Sequence, residues 1–292
     1  MGTSARPPIL TPRLAELRIE DATPDEIKPI GLDADVLALA ETAFYTSFER
    51  APEDPTACRA SVAIGYALVQ NNRPVTTAEV GEAHAFFEGE VFCPDPDTRR
   101  PVEGFRLRLD LDRPFGPAHG VTGLVRLREV VGELTRDGAD ALFGQVRVRY
   151  LDDAAIRSAL ATSTHAGILA EAASEAGERR LVESIPDLVR LTAHDNRRVA
   201  IRAGAALGLL RRDDPEAIKA LVRLTEGPDT EKHLVAVHAL ADIGTADTRR
   251  YLEVIAVGHP NPTIRQLARE RLGMTDPIVD EPKPEPVPDP IP

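Results

Sequence analysis

Apolar side chains recur at spacings of three and four from Asp33 onward. Val36, Leu39, Ala40, Ala43, Phe44, Ser47 and Phe48 mark one face of a helix ending near Arg50, where Pro52 and Pro55 stop it. The period then drops to two. Cys58, Ala60, Val62, Ile64, Tyr66 and Leu68 alternate with polar or small residues, which predicts a strand, and Gln70 to Pro74 reads as a turn. A second extended segment runs from about Glu82 to Cys93. In a third, Phe105, Leu107, Leu109 and Leu111 alternate with Arg106, Arg108 and Asp110. The polar loop from Pro94 to Thr98 joins these two into an antiparallel hairpin, and Asp95 and Asp97 read as its tip and not as a calcium loop. Val121 to Leu142 suggests a helix over 121–143 interrupted at Gly132 and Gly138. Val146, Val148 and Tyr150 against Arg147 and Arg149 predict a last strand, Gln145 to Leu151. Residues 31–151 are therefore expected to form an α+β domain with one antiparallel sheet faced by helices.

The segments on either side differ in kind. Residues 1–30 carry Pro7, Pro8, Pro12, Pro24 and Pro29, a density that prevents helix and predicts an extended arm. Residues 275–292 alternate proline with Glu, Lys, Val, Asp and Ile, the pattern of a polyproline or disordered tail.

After Asp152 every periodic stretch is helical, and the chain repeats itself. Leu188-Val189-Arg190-Leu191-Thr192 returns 33 residues later as Leu221-Val222-Arg223-Leu224-Thr225, and Ala206-Leu207 returns as Ala239-Leu240. Asp214-Pro215 aligns with Asp247-Thr248 at the same offset. A third copy has Leu252, Val254 and Ile255 in its first helix and Leu267 and Leu272 in its second.

The stretch His259-Pro260-Asn261-Pro262-Thr263-Ile264-Arg265, leading to Leu267-Ala268 and Leu272-Gly273, resembles the turn and second helix of bacterial HEAT repeats of the PBS-lyase-like type. Val199 to Gly208 resembles the same unit with Ala200 in place of the usual Arg, and the middle copy departs further, with Lys232 and His233 there. The resemblance covers about residues 178–273. It implies an all-α HEAT-like solenoid over 152–274, capped at its start by helices before Glu183, and a role as an interaction scaffold; a minority of such repeats belong to bilin lyases. In a stack of this kind neighbouring hairpins bury each other's apolar faces and leave a concave groove.

Aromatic residues make up only 4% of the chain, with no Trp, so small aliphatic side chains must do most of the packing, which suits closely stacked helices. The net charge of −12 counts against nucleic acid as partner. No apolar run is long enough to span a bilayer. The first residues lack a secretory apolar region, so cytoplasmic localisation is the default. Met-Gly-Thr-Ser before prolines would also fit a replaced signal sequence, which leaves a periplasmic or envelope location as the alternative. Cys58 and Cys93 fall on neighbouring predicted strands. They are disulfide candidates, with two buried free thiols the competing reading.

Motifs for phosphate cradling, metalloprotease zinc, a nucleophile elbow or dinucleotide binding are absent from the sequence. No two histidines share the three or four spacing of helix-borne metal ligands, so neither metal nor cofactor is expected. The binding candidates are Arg190, Arg223, Arg198, Arg202 and Arg265 in the repeats, whose guanidinium groups would suit an acidic peptide, and His119 in the glycine-flanked turn Phe115 to Gly120. The expected function is a non-enzymatic protein-protein adaptor binding through the concave face. The alternative is a small-ligand or enzymatic α+β domain around His119, with the repeats accessory.

Overall fold

A computed structural model of the chain describes residues 12–29, 32–94, 104–149 and 151–274. Its first half is a mixed six-stranded sheet covered on one face by two helices. In chain order these are β1 (Arg13–Asp21), α1 (Asp33–Ser47), β2 (Glu49–Arg50), β3 (Cys58–Gln70), β4 (Arg73–Val75), β5 (Gly81–Phe92), β6 (Phe105–Phe115) and α2 (Gly123–Val148). The strand order is β2-β1-β3-β5-β6, with β4 paired to β3. As expected, β3, β5 and β6 form an antiparallel meander, Ile64 facing Phe87 and Phe87 facing Leu109. Two consecutive asparagines at positive φ, Asn71 and Asn72, make the predicted turn.

The sheet is not purely antiparallel, because β1 joins it parallel to both β2 and β3. The extended arm expected over 1–30 is thus, from Arg13 to Asp21, an interior strand; residues 1–11 lie outside the described residues. A register shift between Leu14 and Glu16 explains why no alternation was visible. The irregularity moves the apolar set from Leu14 to Leu17 and Ile19, which breaks the period of two. Helix α1 stops at Ser47 and not near Arg50, since Glu49 and Arg50 turn extended to pair with Arg13 and Leu14.

The predicted strand at 145–151 is instead the end of α2. Val146 packs into the sheet core beside Leu142 and Phe87, and Val148 packs into a second core with Ile156 and Leu160. A helix buried on two sides places apolar residues at i and i+2, which mimics a strand. Gly138 does not interrupt it either: a Cβ there would lie 2.6 Å from the Phe87 ring, so its absence lets α2 lie flat on the sheet.

The second half is helical throughout its described residues: α3 (Asp153–Thr162), α4 (Ala166–Glu178), α5 (Ile185–Leu191), α6 (Arg197–Leu210), α7 (Pro215–Leu224), α8 (Thr230–Ile243), α9 (Ala246–Gly258) and α10 (Pro262–Leu272). They pack in pairs, α3 with α4, α5 with α6, α7 with α8 and α9 with α10. Contacts between α4, α6, α8 and α10 form one layer, and α3, α5 and α7 contact one another in a second. The two matching pentapeptides end α5 and α7 in like surroundings. Leu188, Leu191, Leu221 and Leu224 are all buried, and Thr192 and Thr225 each donate to the carbonyl three residues back, at 2.8 and 2.7 Å. The Asp214 to Asp247 alignment does not hold. Asp214 caps α7, but Thr245 caps α9, so the third copy is two residues shorter before its first helix.

The two halves share α2. It contacts β5 and β6 on one side and α4 on another, so the layer of second helices starts within the sheet unit. Gly144 and Gly167 allow this crossing, since a Cβ on Gly144 would collide with the Gly167 carbonyl and one on Gly167 with that of Asp140. The same device recurs among the later helices, where a Cβ on Gly177 would lie 2.8 Å from Ala206 and one on Gly208 2.7 Å from Ala239.

Candidate interaction face of the helical stack

The second helices begin in register. Asn196, Asp229 and Asn261 cap α6, α8 and α10, each side-chain oxygen accepting backbone N–H bonds of the first turn. These caps start α6, α8 and α10 alike, and contacts run from α2 through α4, α6 and α8 to α10.

At its α2–α4–α6 end this surface carries a partly buried charge network. The guanidinium of Arg198 bonds the Glu171 carboxylate, and the two side chains are only 17% and 13% exposed. Nη1 of Arg198 is buried without a hydrogen-bond partner. Burial depresses the Arg198 pKa, Glu171 opposing it and Arg202 adding to it. Burial, with Glu133 and Asp140 nearby, raises the pKa of Asp137 on α2. Arg202 donates to Ser174 Oγ at 3.4 Å. Further along, Arg197 binds Asp229 at 2.7 Å and Glu231 at 2.6 Å, which clamps α6 to the start of α8. Arg271 contacts His238, whose pKa burial and that cation both lower.

Where α1, α2 and α4 meet, Ser47 Oγ donates to Asp140 Oδ1 at 2.8 Å, and His165 Nε2 lies 3.5 Å from the same oxygen. A hydrolytic triad needs histidine between hydroxyl and carboxylate. Here the carboxylate is in the middle and His165 Nδ1 accepts the Gly167 N–H, so no base is offered to Ser47 and the contact ties three helices together. Beside it, a groove of 770 Å³ runs between α1 and α2, lined by Leu39, Thr42, Ala43, Thr46, Gly132 and Arg136 among others. Among the described residues, no group of three or more His, Cys, Asp or Glu is placed to hold a metal.

The candidate arginines do not converge. Arg198 and Arg202 lie on the second-helix layer. Arg190 and Arg223 lie on α5 and α7 in the other layer, where Arg190 bonds the Leu160 carbonyl and Asp187. Arg265 bonds the carbonyls of His259 and Pro260 at 2.6 and 3.1 Å and braces its own turn. His119 is exposed on a short 3-10 turn, Pro117–His119. The depression beside that turn, 430 Å³, is lined by Ala78, Gly116 and Val121 among others and does not include His119, while Phe115 and Phe87 point into the core. Cys58 and Cys93 form a disulfide of 2.12 Å, brought together by the pairing of Arg59 with Phe92. Sequence reasoning missed Asp137, Asp140, Ser47, His165 and Glu171. Arg198 and Glu171 are 27 residues apart on different helices, and no local pattern signals their meeting.

No family model matches the chain, and no curated protein does. Four solved chains match; one, the rare lipoprotein B from Shewanella oneidensis, is 16% identical, over 44% of this chain and 89% of that one. Its TM-score is 0.24, at which the likeness assigns neither fold nor function.

Proposed function

We propose that the protein is a non-enzymatic adaptor whose helical half is a HEAT-like solenoid, and that it holds a protein or peptide partner across the exposed face of the second-helix layer. The observation that supports this reading is that Asn196, Asp229 and Asn261 cap α6, α8 and α10 alike while contacts run from α2 through α4, α6 and α8 to α10. The partner is one of mixed charge. Arg198 is already tied to Glu171 and Arg265 to carbonyls, so fewer guanidinium groups face an acidic peptide than the sequence suggests. The Cys58–Cys93 disulfide supports an oxidising compartment such as the periplasm or envelope.

The test is site-specific photo-cross-linking in the full chain. A photoreactive residue at Leu209, exposed on α6, should capture a partner that one at Val257, exposed on α9, does not. Loss of the adduct on Arg202→Glu with folding retained is the supporting result. Equal capture from both positions counts against the proposal.

The groove between α1 and α2 favours a second reading, in which residues 31–151 bind a small amphipathic ligand, because Ala38, Leu39 and Ala43 line it opposite Arg128, Glu129 and Arg136 and its volume suits one. A ligand there would raise the unfolding midpoint of the full chain, and Gly132→Phe would abolish that rise.

A further inference from the structure

Strand β6 is the last strand of the sheet, and among the described residues no strand pairs with its outer edge. It is 11 residues long, and its inner-face residues Phe105, Leu107, Leu109 and Leu111 remain partly exposed, whereas Ala83, Ala85, Phe87 and Val91 of neighbouring β5 are buried. A long edge that no other strand pairs is a template for another strand, although the Asp112 and Pro114 carbonyls near its end already accept from Arg113 and Arg126.

The side chains specify which strand. The outward-facing charges run Arg106, Arg108, Asp110, Asp112, two positive and then two negative. If a second β6 is laid antiparallel with Leu109 opposite Leu109, Arg106 faces Asp112 and Arg108 faces Asp110, each pair occurring twice. On the other face Leu107 meets Leu111, and Phe105 meets Arg113. Shifting the axis to residue 108 sets Arg108 against Arg108, and shifting it to 110 sets Asp110 against Asp110. Slipping the register by one residue puts the leucines on the wet face. Opposite charges directly across an antiparallel pair are favourable and like charges unfavourable, so the Leu109 register is selected over its neighbours.

We propose that the protein forms a two-fold dimer with a second copy of itself through antiparallel pairing of β6 with β6, centred on Leu109, which joins the two sheets into one. The contacts within each chain are compatible with it. Arg106 is held by Glu90 of β5, Asp112 by His84 at 2.5 Å, and Arg108 lies over Phe86 with its carboxylate neighbours at 3.4 and 3.9 Å. These ties keep the charged heads on the wet face and in row. The pairing is isologous and therefore closes at two copies. It uses the sheet edge and not the exposed face of the helical layer, and it does not depend on the adaptor reading.

Sedimentation of the full-length oxidised chain should give a concentration-dependent species of twice the 31.6 kDa chain mass. Arg106→Asp with Arg108→Asp makes the row all acidic, and Asp110→Arg with Asp112→Arg makes it all basic. Each variant alone should self-associate at least about tenfold more weakly, because four facing pairs become like-charged. An equimolar mixture of the two should form a 1:1 heterodimer. In a readout of register, Leu109→Cys should give an intermolecular disulfide under mild oxidation. Leu107→Cys should not, because the two copies of that residue lie about 14 Å apart at four residues of offset. A wild-type chain that stays monomeric overturns the proposal. So does a mixture that fails to associate while both variants keep the wild-type circular dichroism, or a Leu107→Cys chain that cross-links as well as Leu109→Cys.

Discussion

Replacing Gly167 with alanine tests the junction that makes the two halves one body. A methyl group at that position would run into the Asp140 carbonyl of α2, a backbone atom that no rotamer change can move. To restore ordinary contact α4 must back away from α2, which also pulls on the reciprocal contact at Gly144. Overpacking of this kind costs about 1–3 kcal/mol. Alanine in a helix recovers about 0.5–1 kcal/mol against glycine. The net expectation is a loss of about 1–2 kcal/mol. Gly132 supplies the control. It sits mid-helix in α2 with nothing within 4 Å of where its Cβ would be, so Gly132→Ala should stabilise by about 0.5–1 kcal/mol. Urea unfolding of the three proteins, compared at equal m-value, reads both signs. If Gly167→Ala is as stable as Gly132→Ala, α2 and α4 do not cross at backbone contact and the shared-helix account is wrong.

Three further outcomes follow from the site and the core. Glu171→Gln leaves Arg198 charged and largely buried and should destabilise by about 2–3 kcal/mol, less than for a fully buried pair because some solvent contact and Asp137 remain; adding Arg198→Met should recover most of it in a double-mutant cycle. Reducing Cys58–Cys93, which closes a 35-residue separation, should cost about 4 kcal/mol by chain entropy, read as a lower denaturation midpoint in dithiothreitol than without it. Asp137 has its folded pKa raised above the unfolded 3.8, so folding favours its protonated form, and its stabilising contribution is present below 3.8 and lost as pH rises through the folded value. Asp137→Asn should therefore raise the melting temperature at neutral pH, with the gain shrinking as pH falls towards 4; a gain independent of pH would contradict the assignment.

What could be read from the chain followed from how local each signal was. The meander was visible because β3, β5 and β6 each have one buried and one wet face, and the disulfide candidates followed from Cys58 and Cys93 falling on neighbouring predicted strands. The repeated helices were visible because their caps and buried leucines recur at nearly constant spacing. β1 stayed hidden because an irregularity at Leu14/Glu16 breaks its alternation and its parallel partner lies beyond α1. The end of α2 was misread because it serves two cores. The placing of Arg190 and Arg223 on first helices and of Arg198 and Arg202 on second helices was also legible from the repeat, and the packing of α5 and α6 shows that these helices lie in different layers.

The shared helix changes what a domain boundary at 151/152 would mean. Cutting there removes α2 from α4, uncovers Gly167, and takes Val148 out of the core it forms with Ile156 and Leu160. A fragment of residues 152–274 would begin with an apolar flank in water, much as a repeat array without its cap does. The long helix of the sheet half packs on α4 and presents Arg128, Glu129 and Arg136 to the α1 groove. A load that the proposed partner applied to the second-helix layer would pass through the close contact at Gly144 and Gly167 into a helix lying on β5 and β6. Partner binding on the stack and strand pairing at the β6 edge would share one rigid element, and both must be measured on the intact chain.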